Sequence, residues 1–365
     1  MKVHKLWTAA RESRARKGSL TQGIGGTRRS WLTIAAVSVV VCSFVVVAAA
    51  RNQSANSKAQ PGQESPPYWA FTVDPPARAS LAPAEKPSGH TLHHVPGSKH
   101  VFTQQQIDAA AFAPPDWHPD GHPPMPEIVA HGRKPAVEAC GFCHLPNGQG
   151  RLENSSLAGL PAAYIIQQLA DFKVGLRKPS MNTGPIDAMI THETKANTAE
   201  IKAAAEYFSQ VKPKPWIRVV ETRTVPKTHV AGWMLVRSAG GGKEPIGHRI
   251  IETPVNQHLT ELRDDASGFI AYVPVGSVEK GKELVTTGGA GKTIDCEMCH
   301  GPGLRGKGNV PSLAGRSPSY IVRQLYDFRS GSRNGPGAEL MKPVTAKLTI
   351  DDMISLAAYL ASLHP

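Results

Sequence analysis

Cysteine is scarce in this chain: there are five among 365 residues. Four of the five fall in two identically spaced groups, Cys140-Gly141-Phe142-Cys143-His144 and Cys296-Glu297-Met298-Cys299-His300. That scarcity excludes several uses. Zinc ribbons pair two Cys-x-x-Cys knuckles across a short loop, and here Cys143 and Cys296 lie far apart. Thioredoxin-like redox pairs sit on a βαβ unit, which neither group has around it. Structural disulfides would leave the two histidines unexplained. No catalytic constellation stands out elsewhere. A basic surface for nucleic acid is also missing. The formal charge is +12, yet eight of the 41 basic residues and one of the 29 acidic residues lie in residues 1–50. The rest of the chain carries a net +5, so we expect no nucleic-acid partner.

One long uncharged apolar run occurs, at residues 31–50. Twenty helical residues span about 30 Å, the thickness of a bilayer core. Lys2, Lys5, Arg11, Arg14, Arg16, Lys17, Arg28 and Arg29 precede it. Positive charge on that side predicts a basic cytoplasmic leader (1–30), a membrane anchor (31–50) and export of everything after it. The alternative is a signal peptide cleaved at Ala48-Ala49-Ala50, which leaves the protein free in the periplasm. Cys42, inside the run, is read as a small buried residue.

Residues 51–126 are rich in Pro, Ser, Ala and His without a helical or strand period. They read as a tether with ordered portions lying on the first of two repeated domains. Histidines 90, 93, 94, 100, 118, 122 and 131 are spread through Pro-rich sequence, so they read as solvated tether residues rather than metal ligands. The repeat itself is plain in the sequence. The two Cys-x-x-Cys-His groups, the Leu-Ala-Gly strings at 157–159 and 313–315, and the segments 164–177 and 320–333 all keep one offset of 156 residues. This predicts two duplicated, mainly helical domains, at 127–214 and 276–365. Between them, residues 215–275 hold β-branched and aromatic runs broken by Pro and Gly, which read as a short β meander. That insert is expected to fix the two domains' orientation and to offer a docking face, anchored by Trp216, Trp233, Phe269 and Tyr272.

Two thiols two residues apart can add to the two vinyl groups of one haem, and the adjacent histidine then lies under the iron. The residues expected to attach and ligate two covalent haems are therefore Cys140, Cys143 and His144, then Cys296, Cys299 and His300. A second axial ligand must come from elsewhere in each domain. Met341 stands just before the last helix; aligning Tyr207 with Tyr359 brings Met189 onto it. Met181 and His192 remain alternatives for the first haem. Pro311 is placed to orient His300 through its backbone carbonyl; its equivalent in the first domain is Ser155, which leaves the local turn there open. Tyr164, Tyr320, Arg177 and Arg333 are candidate propionate partners, or else ordinary core residues. Gly132 and Gly281 are expected to let a helix cross closely against Tyr207 and Tyr359.

These residues resemble the diheme class I cytochromes c, especially the two-domain cytochrome c4 group. The resemblance covers about 127–211 and 276–365. It implies compact helical domains, each with a class I cytochrome c fold, that exchange single electrons outside the cytoplasm. It implies soluble or anchored periplasmic carriers; with the apolar run at 31–50, a departure from the family, the expectation is a membrane-anchored carrier, or the cytochrome subunit of a respiratory complex, rather than an enzyme. Donor and acceptor are redox proteins such as a dehydrogenase, a quinol-oxidising complex or a terminal oxidase. A diheme peroxidase is the enzyme alternative; matched Met candidates in both domains argue against the open iron it needs.

Overall fold

The structure, a computed structural model, describes residues 64–72 and 88–365. The expected anchor at 31–50 lies outside the described residues. Among those that are described, no helix is long and apolar enough to cross a membrane.

The chain before the first repeat is packed in part rather than simply extended. Tyr68–Phe71 form a 3-10 turn whose Ala70 and Phe71 join the buried core of the second repeat. A small antiparallel pair, β1 (Leu92–His93) and β2 (Phe102–Thr103), leads into helix α1 (Gln104–Asp108). Trp117 is 1 % exposed and its Nε1 donates to Leu262 O at 2.8 Å, so this segment docks on the insert. Of the histidines expected in solvent, His90, His94, His100 and His131 are exposed, whereas His93 is buried. His118 and His122 are paired with carboxylates.

The first repeat contains α2 (Glu127–Ala130), α3 (Cys140–His144), α4 (Ala162–Lys173), α5 (Gly184–Lys195) and α6 (Thr198–Gln210). Asn197 and Glu200 close a capping box that starts α6 and satisfies two otherwise unpaired N–H groups. Ile165 of α4 and Ala204, Ala205, Tyr207 and Phe208 of α6 meet in one core. No described side chain of α5 is fully buried.

The insert carries seven strands: β3 (Ile217–Glu221), β4 (Thr224–Pro226), β5 (Thr228–Ala231), β6 (Met234–Arg237), β7 (Lys243–Pro245), β8 (Ile251–Pro254) and β9 (Phe269–Val273). Their pairing corrects the expected meander. β9 is central, parallel to β3 and antiparallel to β8, with Val219 opposite Ala271 and Thr253 opposite Ile270. The first and last strands of the insert therefore meet, with a short helix, α7 (Gln257–Glu261), inside the crossover. Trp216 packs edge-on against Phe269 at 5.5 Å, and its Nε1 donates to Gly315 O of the second repeat at 3.1 Å. Leu152 of the first repeat joins the same cluster. Of the other anchors, Tyr272 is half-buried while Trp233 is 51 % exposed.

The second repeat contains α8 (Ser277–Thr287), α9 (Glu297–His300), α10 (Pro318–Arg329), α11 (Met341–Thr345) and α12 (Ile350–Ser362). Its core is built on α12, whose Met353, Ile354, Leu356, Ala357 and Leu360 are buried against α8 and α10. Gly281 of α8 lies directly against the Ser355 carbonyl and Tyr359 of α12, as expected. Gly132 does not do the equivalent work. It follows the one-turn helix α2, at φ +65°, in a turn closed on Val137 and Ala139. Pro123, Pro124 and Pro126 stand where a longer first helix would need backbone N–H donors.

Asp352 is a fully buried carboxylate at the start of α12. Lys292 Nζ lies 2.9 Å from both of its oxygens, Lys280 Nζ lies 3.1 Å away, and Thr349 closes a capping box with it. Burial alone would raise its pKa, but these partners outweigh it and hold the carboxyl down at about 2. A depressed folded pKa stabilises the protein above the unfolded value near 3.8, and that contribution disappears as pH falls through about 2. Asp352→Asn should therefore cost about 2 kcal/mol at neutral pH. Denaturant titrations of both proteins should converge between pH 4 and pH 2; a constant gap over that range would contradict the assignment.

Candidate haem sites

Each Cys-x-x-Cys-His group forms a single helical turn, α3 or α9, that ends on its histidine. His144 Nδ1 lies 2.9 Å from Ser155 O, and His300 Nδ1 lies 2.8 Å from Pro311 O. An imidazole that donates through Nδ1 to a carbonyl leaves Nε2 as its lone-pair face. Burial keeps both rings neutral: it lowers His144 to about 4, with Arg177 adding to the effect, and it lowers His300. The loops beyond them repeat the same bonds. Gly150 N donates to His144 O and Gly306 N to His300 O. Gly159 N reaches Phe208 O of α6, and Gly315 N reaches Leu360 O of α12. Each attachment loop is thus fastened to the last helix of its own repeat.

No disulfide joins the four cysteines. In the unmodified chain burial pushes the Cys143 thiol up to about 11 and Cys296 to about 12, while Cys299 is exposed. Above Cys140, Cys143 and His144 opens a mainly apolar cavity, holding about 1620 Å³ of space between atoms with its mouth included. Leu157, Ile165, Leu169 and Phe172 supply apolar wall. The thiols, the neutral imidazole and this apolar chamber fit a flat, covalently held macrocycle.

All three candidates for the first distal position, Met181, Met189 and His192, line this cavity. They are not equivalent. His192 is engaged at both ring nitrogens by Glu138, Nε2 at 3.1 Å from its carboxylate and Nδ1 at 3.5 Å from its backbone N. Met181 also packs against the core of the second repeat. Met189 sits within α5, whose first residue, Gly184, is covered by the Trp233 indole of the insert. Met341 begins α11, and Thr293 Oγ1, just before the second attachment turn, donates to Val344 O of that helix at 2.9 Å.

The four expected propionate partners meet where the repeats touch. Arg177 donates to Gln168, Tyr320 and Gln324; Arg333 donates to Gln324, Tyr164 and Gln168. Backbone bonds Lys178 N to Ser332 O and Asn334 N to Leu176 O run alongside. Arg316 joins the two Leu-Ala-Gly loops, reaching Ser156 O at 2.6 Å. Two contacts of this region escaped sequence reasoning. Glu252 of the insert accepts from Ser317 and Ser319 at the start of α10. Arg263, at φ +61°, stacks on Phe142 of the first attachment turn at 3.9 Å and donates to its carbonyl. No pattern local to 252 or 263 signals either contact.

The model of the cytochrome c family matches residues 278–364. A cytochrome c4 from Stutzerimonas stutzeri is 31 % identical over 142 residues, covering 35 % of this chain and 67 % of that protein. A thiosulfate dehydrogenase electron acceptor from Thiomonas intermedia is 27 % identical over 233 residues, 62 % of this chain and 80 % of that protein. The crystal structure of reduced cytochrome c4 from Pseudomonas stutzeri covers 62 % of this chain and 93 % of its own, at 22 % identity and a TM-score of 0.41. This chain belongs to the cytochrome c family, as a helix-rich, two-domain diheme electron-transfer protein of the cytochrome c4 kind with two covalently bound c-type haems.

Proposed function

We propose that the protein relays single electrons through its two haems in series, from a redox-protein donor to a redox-protein acceptor, on the periplasmic side of a bacterial inner membrane. When bound, each haem supplies a reversible one-electron couple. One observation carries the serial reading: the cavity beside His144 is walled in part by Tyr320, Arg323 and Gln324 of the second repeat. A haem held there would lie against the other repeat rather than alone in its own. Arg177, Arg333, Tyr164 and Tyr320 converge at that wall and supply donors for propionates. His144 with Met189, and His300 with Met341, would hold the two irons. The bonds of His192 to Glu138, and the packing of Met181 on the second repeat, favour Met189 over both alternatives.

Residues 31–50 hold the protein to the membrane in this reading, and the cytochrome is a free-standing anchored carrier or the cytochrome subunit of a respiratory complex. A relative named as an electron acceptor of thiosulfate dehydrogenase supports a dehydrogenase as donor; a quinol-oxidising complex fits the same place, and a terminal oxidase fits the acceptor's. Ile294, Met298 and Leu340 leave apolar surface exposed around the second attachment turn and α11, where a partner can dock. The test is spectroscopy of washed membranes. Ferric haem with methionine ligation absorbs weakly in the near infrared. Met189→Ala and Met341→Ala should each remove about half of that band, and Met181→Ala should leave it whole. A wild-type band recovered only in the aqueous fraction overturns the anchor. The absence of any band overturns the methionine pairs.

A further inference from the structure

Outside the haem sites, the structure brings a histidine and two aspartates together at the point where the chain before the first repeat meets the insert. His118 Nε2 lies 3.1 Å from Asp264 Oδ1 and 3.9 Å from Asp265 Oδ1, and the ligand atoms of all three lie within 4.8 Å of one another. Two ligands bound at about 2.1 Å to one transition-metal ion stand roughly 3 to 3.5 Å apart, so the spacing needs little adjustment. Asp264 and Asp265 are 4 % and 3 % exposed. The carboxylates are therefore held in place before any ligand arrives, and His118, 22 % exposed, leaves a way in.

A simple ion pair accounts for only part of this. Asp264 Oδ1 accepts from Ala266 N as well as from His118, so it is satisfied. Asp265 Oδ1 is buried and has no hydrogen-bond partner. An unpaired buried carboxylate oxygen is costly, and the one imidazole facing it, His118, is bonded to Asp264 instead. Nearby Asp116 is already engaged by His122, at 3.1 Å, and supplies no donor to Asp265. The backbone around the cluster is firmly set. Trp117 donates to Leu262 O, and Asn147 Nδ2 of the first repeat donates to Asp265 O at 2.6 Å.

We propose that His118, Asp264 and Asp265 bind one divalent first-row transition cation of the zinc class. One imidazole with two carboxylates is a borderline donor set: it suits zinc better than calcium, which seeks oxygen alone, or copper(I), which seeks sulfur. The cation clamps three parts of the chain together. It joins the segment holding His118 to the insert, and the insert, through Asn147 and Arg263, to the loop that carries the first attachment group. It is a structural ion, apart from the electron path.

The test uses the full-length holoprotein, stripped with a chelator and titrated with Zn2+ by calorimetry, with bound zinc counted by elemental analysis. The wild type should bind one zinc more tightly than the rest of its histidines do and should melt at a higher temperature with it. Asp265→Asn keeps the shape of the side chain and should weaken that binding at least tenfold, with the haem spectrum unchanged. Equal zinc binding in both proteins, or no stoichiometric zinc in the wild type, overturns the site. Should the variant fail to fold, zinc-edge X-ray absorption on the wild type at one equivalent decides. One imidazole with oxygen ligands supports the site; sulfur or several imidazoles overturn it.

Discussion

Replacing Cys140 and Cys143 together with alanine is expected to leave one covalent haem per chain and to release helix α5. The reasoning starts from burial. No described side chain of α5 is fully buried, so the protein's own core does little to hold it. Its neighbours are α4, the wide apolar cavity that it helps to line, and the exposed indole of Trp233 over Gly184. A haem in that cavity supplies the apolar surface that α5 otherwise lacks, and burial of such surface contributes about 25 cal/mol per Å². Without the thioethers the haem is held only by its iron ligands and is readily lost. Haem quantification after acid extraction should show half the wild-type amount. Limited proteolysis should then cut within 184–195, while the second repeat stays intact. The corresponding pair Cys296→Ala and Cys299→Ala should also halve the haem but leave α5 protected. Full haem retention in either double variant would remove the covalent assignment.

Gly281→Ala should be among the most damaging single changes available. A Cβ at Gly281 would fall on the Ser355 carbonyl oxygen, 2.6 Å from its carbon and 2.8 Å from Tyr359 Cβ. Two of these are backbone atoms of α12, so no side chain can rotate away. The helices must separate, and Leu284 and Val285 are withdrawn from a dense core as they do. Overpacking of this kind costs roughly 1–3 kcal/mol, and the absence of a flexible neighbour puts the expectation at the upper end. Cys296 N donates to Val285 O, so a displaced α8 also moves the second attachment turn. The denaturation midpoint of the holoprotein should fall by that amount. The same substitution at the exposed Gly337, which has open space around it, serves as the control. A Gly281→Ala midpoint equal to the control's would contradict the close crossing.

The architecture that depends on the repeat could be read from the sequence. The offset of 156 residues pairs the two attachment groups, and the carbonyl expected of Pro311 does face His300; the turn at Ser155, left open by the sequence, keeps the same bond to His144. Gly281 followed from its place ahead of the attachment group. Gly132 failed by the same logic, because the prolines before it shorten the first helix to one turn and leave nothing for it to cross. Partner choice across long separations was the other failure. Strand-like runs at 217–225 and 267–274 were legible, but alternation says nothing about which strands pair, and the parallel union of β3 with β9 closes a long loop. Pro-rich surroundings make His118 and His122 look solvated, and nothing local signals that both meet carboxylates. The carboxylate that meets His118 is 146 residues distant in sequence. Residues 68–71 have no period to reveal that they complete the core of the second repeat.

The exchange between Arg177 and Arg333 has a consequence for the ancestry and the assembly of the fold. Each arginine binds its own repeat's glutamine and reaches over to the glutamine and tyrosine of the other. Residue i of one half touches residue j of the other, and j touches i in return, which is the rule of a two-fold, self-complementary interface between identical subunits. Either repeat therefore carries both halves of its own handshake. A single-repeat protein with this surface would pair with a second copy of itself, and joining two genes would keep that pairing while freeing the halves to diverge. The short α2 of the first repeat and the insert are departures that a covalently linked pair can accumulate.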